Sequence, residues 1–237
     1  MSRAGDDRTP GQRVLYRVCR QIVYWAFTLV YRARLDGVRR LPTGGVLLVA
    51  NHQSHLDPPL VGLCADRPLE YLARAGLFKN RLFAWLITGL GARPIDETGS
   101  DAGSGLRTAL DRLHAGQALL VFPEGSRTPD GAMHSFKRGA ILLVRRAGVP
   151  VVPVAIEGTF DAWPRRRPLP RLLGQRVRVR FGAPLDPEAL LRDGPEGAVR
   201  HLETQIDTMR LELRAQLRRA SAGRFPAPGP GDRPRSA

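Results

Sequence analysis

Cysteine is nearly missing from this sequence. Cys19 and Cys64 stand alone, with no C-x-x-C pair, which excludes a disulfide framework and a cysteine-based zinc site. Lysine occurs only at Lys79 and Lys137, so the net charge of +15 is carried almost wholly by arginine. No apolar run reaches the ~18–20 residues of a bilayer-spanning helix. The longest is Ile22–Tyr31, "IVYWAFTLVY", and the following "YRARLDG" has no small-residue cleavage site, so it does not read as a signal peptide. There is no G-x-S-x-G, hence no serine-hydrolase elbow, and no G-x-x-x-x-G-K-[ST], hence no P-loop. There is also no helix-turn-helix, zinc or aromatic RNA-binding signature, so no nucleic-acid partner is indicated. The positive charge still calls for anionic partners such as lipid headgroups or phosphorylated substrates, although an arginine-biased composition accounts for part of it.

What is present suffices for one substantial core: 237 residues, 43% of them hydrophobic. Residues 1–10 are polar, and a helix is expected over Gln12–Tyr31. Arg13, Arg17 and Arg20 precede its apolar run, Arg32 and Arg34 follow, and Tyr24, Trp25 and Tyr31 punctuate it. That pattern suits a helix lying in a headgroup layer, and equally a buried core helix. Strands are expected at Arg34–Val38, Gly45–Ala50, Glu70–Arg74, Ala118–Phe122 and Val151–Ile156, with "RVRVRF" (Arg176–Phe181) alternating like a strand with one wet face. Helices are expected from Asp57 to Ala65, Leu77–Thr88, Leu106–Ala115, Phe136–Ala147 and Pro195–Arg219, with a loop over Gly99–Gly105. The last helix carries an apolar stripe (Val199, Leu202, Ile206, Met209, Leu213, Leu217) opposite Arg200, Arg210, Arg214 and Arg218. Alternating strands and helices give an α/β fold, with a mixed, largely parallel central sheet flanked by helices and an N-terminal interfacial amphipathic helix. The divisions are 1–31 (tail and interfacial helix), 32–219 (main domain) and 220–237, a Pro/Gly-rich tail expected to be disordered.

Two polar clusters follow apolar strands, where ligands gather in α/β sheets. The first is "NHQSHLDPP", residues 51–59. His52 and Asp57 would face about 140° apart on one continuous helix, but a strand-to-helix turn lets them converge. Asp57 suits an N-cap and Pro58 a first helical position. So fixed, Asp57 can accept a hydrogen bond from one imidazole nitrogen of His52 and leave the other as a general base for a hydroxyl. Two other readings remain open from the motif alone: a capped turn with solvated histidines, and a metal site. "HQSHLD" matches a metallohydrolase pattern poorly, with Gln53 and Pro58 where histidines are needed, and His114, His134 and His201 show no paired spacing.

The second cluster is "FPEGSRTPDG", Phe122–Gly131. Gly125 permits a tight turn or a close backbone approach, Arg127 offers a fork of donors suited to phosphate, and Glu124 can bind a substrate hydroxyl. "KRGA" opens the next helix, where Lys137 and Arg138 either add charge near the site or are solvated helix-end residues.

Together "NHQSHLD", "FPEGSRTPDG" and "VPVVPVAIEGT" (Val149–Thr159) resemble the glycerolipid acyltransferase family, nearest the bacterial 1-acylglycerol-3-phosphate acyltransferases, over roughly residues 35–185. The resemblance implies an acyltransferase domain over 32–219. It implies His52 as the base that deprotonates an acceptor hydroxyl, Asp57 as its orienter, and attack on the thioester of an acyl-CoA or acyl-carrier protein. No cofactor, metal or covalent enzyme intermediate is implied. Glu124 and Gly125 would bind the lysophospholipid acceptor, with Arg127 toward its phosphate, and the protein would sit on an anionic membrane surface at the cytoplasmic face, peripheral or monotopic. One segment departs from the pattern. Where the family commonly has G-x-I-P-[VI]-D-R, this chain has "GARPIDETGS" (Gly91–Ser100), with Glu97 at the arginine position and Arg93 four residues earlier. A carboxylate repels a phosphate. Either Arg93 or another basic residue substitutes, or the acceptor is a zwitterionic, amino-acid-linked or glycosylated lysolipid.

Overall fold

The short apolar runs become the centre of one sheet. The computed structural model describes residues 9–36, 41–89, 91–95, 103–172 and 174–235. Its strands are β1 (Arg34–Asp36), β2 (Val46–Ala50), β3 (Leu69–Arg74), β4 (Ala92–Ile95), β5 (Ala118–Val121), β6 (Val151–Glu157) and β7 (Arg178–Phe181). They lie in the order β1-β7-β6-β2-β5-β3-β4. Strands β6, β2, β5, β3 and β4 run parallel, β7 is antiparallel to β6, and β1 is parallel to β7. The helices are α1 (Pro10–Val30), α2 (Asp57–Cys64), α3 (Arg81–Gly89), α4 (Ser104–His114), α5 (Gly139–Ala147), α6 (Thr159–Ala162), α7 (Pro187–Leu190) and α8 (Gly194–Ala220).

β2, β5 and β6 are buried along their whole length, which is why their sequences are continuously apolar rather than alternating. Successive residues still point to opposite faces. Val46, Leu48, Ala50, Leu120 and Val154 join Phe27, Leu60 and Leu63 in one core beneath α1 and α2. Leu47, Val49, Leu119 and Val121 join Leu113, Leu143, Leu202 and Ile206 in a second core beneath α4, α5 and α8. Val49 pairs with Val121 and Ala50 with Val154, so β2 and β5 end side by side, with β6 running on beside them to Glu157, at one edge of the sheet. The polar clusters leave from that edge.

Several expectations shift. β4 was not foreseen: its four residues include Pro94, tolerated because this is an edge strand. The helix expected at Leu77–Thr88 divides into a 3₁₀ turn at Ala75–Phe78 and α3. The helix expected from Phe136 starts at Gly139. Of the strand expected at Arg34–Val38, residues 37–38 lie outside the described residues, as does most of the loop expected from Gly99.

α1 begins with a reciprocal cap between Thr9 and Gln12 and has Pro10 at its first position. It packs on α2 and α3, burying Phe27 with its C-cap Tyr31. Tyr31 is therefore a core residue and not a headgroup anchor. Val14, Val18, Ile22, Trp25 and Leu29 are exposed. Their spacings of three and four place them on one outward stripe.

The tail differs most from expectation. Residues 221–235 fold back on α8: Phe225 and Gly231 are buried, and Pro230–Asp232 form a 3₁₀ turn. The cause lies on the helix face read as wet, where Arg210 is completely buried and Arg214 nearly so. Arg214 donates to Asp232 Oδ1 (2.7 Å) and the Ala227 carbonyl (2.8 Å), and Arg210 to the Gly231 carbonyl (2.7 Å). A guanidinium can satisfy five donors at once, which here substitutes for a hydrophobic contact in ordering a Pro/Gly-rich segment.

Candidate active site

The first cluster is built outward from β2. Asn51 extends the strand pairing through its side chain, donating to the Ile156 carbonyl (2.9 Å) and accepting from the Ile156 amide (2.8 Å). The chain then turns, and Asp57 starts α2. The expectation of Asp57 as N-cap is corrected: Leu56 is the N-cap, without a side-chain cap bond, and Asp57 is the first helical residue. Its carboxylate turns back onto the loop instead. Oδ2 accepts from the amides of Gln53 (2.6 Å) and Ser54 (2.7 Å) and meets His52 Nδ1 at 2.8 Å. Two amide donors fix the carboxylate, and the carboxylate fixes the imidazole with its proton on Nδ1.

The side chain of Asp57 is completely buried, whereas that of His52 is 18% exposed. The orienting group is thus sealed and the ring reachable. The ring stacks on Phe122, centroids 4.0 Å apart, a contact that sequence reading missed although Phe122 opens the second motif. Nε2 of His52 has no hydrogen bond among the described residues. Neighbouring His55 lies against Trp163, and burial, then the nearby charges of Arg127 and His52, push its pKa below the usual histidine value. Among the described residues no group of three or more His, Cys, Asp or Glu is arranged to hold a metal ion.

The second cluster comes off β5 and locks onto the first. The Glu124 carboxylate accepts from the His52 amide (2.7 Å) through Oε1 and from the His134 amide (3.0 Å) through Oε2. The Thr128 amide donates to the His52 carbonyl (2.8 Å). Glu124 therefore braces two loops, and a substrate hydroxyl would have to share its oxygens. Burial pushes its carboxyl up to about 8, against the opposing pull of the two amide bonds. Gly125 has φ of +71°, and a Cβ there would stand 2.5 Å from Lys137 Nζ. Its lack of a side chain is what lets Lys137 lie across the turn. Arg127 sits half-buried beside Thr128.

His52, Asp57, Glu124, Gly125, Arg127 and Lys137 are thus brought together at one edge. Arg93 is not. It lies on β4, paired with Leu72 and separated from β2 by β5 and β3. At ~4.8 Å per strand that is roughly 14 Å. Its side chain and Glu97 lie outside the described residues. Sequence reading missed Gln53 and Glu157, both buried, whose side chains meet at 3.0 Å behind the catalytic loop. A carboxylate closing a strand as apolar as "VVPVAIE" was the available signal, since a buried charge requires a partner.

Comparison with known proteins gives the family. The family described as Acyltransferase matches residues 32–157, which contain every element of both clusters up to the end of β6. A chloroplast 1-acyl-sn-glycerol-3-phosphate acyltransferase of Arabidopsis thaliana is 29% identical over 56% of this chain and 38% of its own. A lyso-ornithine lipid O-acyltransferase of Pseudomonas aeruginosa is 32% identical over 67% of this chain and 61% of its own. The chain thus spans less than two thirds of the length of each of these relatives. The crystal structure of the 1-acyl-sn-glycerophosphate acyltransferase PlsC from Thermotoga maritima superposes with a TM-score of 0.75 at 29% identity, covering 89% of this chain and 84% of that one. With the family match covering more than half of the chain and carrying both clusters, the chain belongs to the acyltransferase family.

Proposed function

We propose that the protein is an O-acyltransferase moving a fatty acyl group from acyl-CoA or acyl-carrier protein to the hydroxyl of a lysophospholipid, with 1-acylglycerol-3-phosphate as acceptor and phosphatidic acid as product. The observation that carries this is the 2.8 Å contact between His52 Nδ1 and a buried Asp57, with Nε2 unoccupied beside the Glu124–Arg127 turn. Nε2 removes the hydroxyl proton as the oxygen attacks the thioester carbonyl. The tetrahedral intermediate collapses, the C–S bond breaks, and the departing thiolate takes the proton back from the imidazolium. Asp57 stabilises that imidazolium and keeps the ring in the productive tautomer. Arg127 and Lys137 supply positive charge for the acceptor phosphate. The step consumes no cofactor.

The acceptor is amphiphilic, and the exposed stripe on α1 gives the enzyme a means to meet it. No described helix is long and apolar enough to cross a membrane. Val14, Val18, Ile22, Trp25 and Leu29 dip into the interface of an anionic bilayer at the cytoplasmic face, in peripheral or monotopic association. Arg13, Arg17 and the exposed run Arg165–Arg167 each add roughly 1 kcal/mol when close to that surface.

A second acceptor has its own support. Glu97 stands where the family commonly has an arginine, and one similar relative is a lyso-ornithine lipid O-acyltransferase. The test gives the purified protein an acyl thioester with either lysolipid and identifies products by mass spectrometry. Phosphatidic acid is the expected product. Turnover of the ornithine lipid alone transfers the assignment to the second acceptor, and failure with both acceptors and both donor types refutes the activity.

A further inference from the structure

We propose that residues 221–235 form a strap that holds both motif loops in register for catalysis, and that Glu157 is the positioning residue that transmits its hold to His52 through Gln53. This rests on the acyltransferase reading for its kinetic consequences. The first arm runs from strap to base through five successive contacts. Arg214, bound to Asp232 and the Ala227 carbonyl of the strap, donates to Glu157 Oε1 (2.7 Å). Arg210, bound to the Gly231 carbonyl and to Asp207, lies 3.4 Å from Glu157 Oε2. That same oxygen accepts from Gln53 Nε2 at 3.0 Å. Gln53 Oε1 accepts from Thr159 Oγ1 (3.2 Å) and the Phe160 amide (3.3 Å), so the side chain is held at both ends. The Gln53 amide then donates to Asp57 Oδ2, the oxygen that holds His52.

The second arm reaches the other loop. Arg235 of the strap pairs with Glu203 and donates to Ser135 Oγ (3.2 Å), and Glu203 accepts from the Phe136 amide (2.7 Å). Phe136 lies two residues beyond His134, whose amide holds Glu124. Between the arms the strap touches the second motif directly. A Cβ added to Gly231 would stand 3.0 Å from the Gly131 carbonyl and 3.1 Å from Arg214 Cζ. Both loops thus end on one strap. Glu157 and Gln53 act by placing the Asp57–His52 pair.

Three full-length variants test this. Gln53→Met breaks the link to Glu157 with little change in volume, Glu157→Gln removes the charge that joins strap to loop, and Gly231→Val wedges the strap from the turn. Each is followed by kcat and KM, by the downfield proton signal of His52 Nδ1, and by thermal melting. Trypsin sensitivity at Arg224 and Arg235 reports release of the strap. The expected result is a drop in kcat of about ten- to a hundredfold with KM within about twofold, since misplacement of a catalytic group by ~1 Å suffices for this, together with loss or shift of the His52 signal. Should Gly231→Val not fold, Gln53→Met decides alone. Unchanged kcat and an unchanged His52 signal in folded Gln53→Met overturn the proposal, as does a kcat loss that vanishes once corrected for the folded fraction. The proton signal needs no turnover. A perturbed signal in a protein that acylates no lysolipid upholds the strap and refutes the activity instead.

Discussion

α1 and α8 are both long, amphipathic and arginine-rich, yet the fold uses them in opposite ways. α8 buries its apolar residues Leu202, Ile206, Leu213 and Leu217, and with them the guanidinium groups of Arg210 and Arg214. α1 buries Phe27 and leaves Val14, Val18, Ile22, Trp25 and Leu29 in solvent. The difference is set by what faces each helix. Glu157 and Asp232 face the α8 arginines and Asp207 lies one turn before Arg210 on the helix itself, so burying those charges is compensated. Among the described residues the stripe on α1 is left exposed, which is the condition for meeting a membrane. Arginines among a spaced apolar stripe are the same kind of signal in both helices; Glu157 and Asp232, which lie outside α8, decide between them.

The sharpest way to break this contrast is at the charges. Arg210→Met leaves Glu157 and Asp207 buried without that partner and is expected to cost about 3–5 kcal/mol in urea unfolding, whereas Arg17→Met on exposed α1 stays within about 0.5 kcal/mol. Equal effects would erase the distinction. Next come the apolar residues. Ile206→Ala should cost about 2–5 kcal/mol through the cavity it leaves. Leu29→Ser should leave stability nearly unchanged but lower binding to anionic vesicles about tenfold, the equivalent of ~1.5 kcal/mol of leucine burial. Vesicle binding that survives removal of the whole α1 stripe would contradict the interfacial reading.

A pH-dependent contrast separates a carboxylate with arginine partners, Glu157, from one held by backbone amides, Glu124. The folded-state pKa of Glu124 is raised by burial, to about 8, above an unfolded value of about 4.3. Its contribution is therefore fully present below pH ~4.3, declines as pH rises toward 8, and is absent beyond. In thermal melts Glu124→Gln should flatten the pH dependence between about 5 and 8. An identical slope in the variant would show that Glu124 does not titrate in this window.

The parts of the fold legible in the sequence are those fixed by local pattern. β2, β5 and β6 announce themselves as apolar runs because both sheet faces are covered, and the two clusters are found because they follow those runs. The pairing of His52 with Asp57 was foreseen, but its support was not: an N-cap was expected, and the carboxylate accepts loop amides instead. The strap was read as disordered because Pro and Gly composition says nothing of guanidinium groups 13 to 21 residues away in the chain that bind its carbonyls. Arg93 was grouped with the site by sequence proximity to Glu97, and only the strand order places it at the far edge of the sheet.

One imidazole, His52, held by one carboxylate, Asp57, takes the proton from an alcohol in the proposed reaction. Thiol release from an acyl thioester in the presence of lysolipid, followed in wild type and in His52→Ala with melting checked in parallel, tests it most directly. Loss of at least about a hundredfold in kcat from a folded variant is predicted, within the range of general-base contributions. Undiminished thiol release coupled to product ester in folded His52→Ala would contradict it.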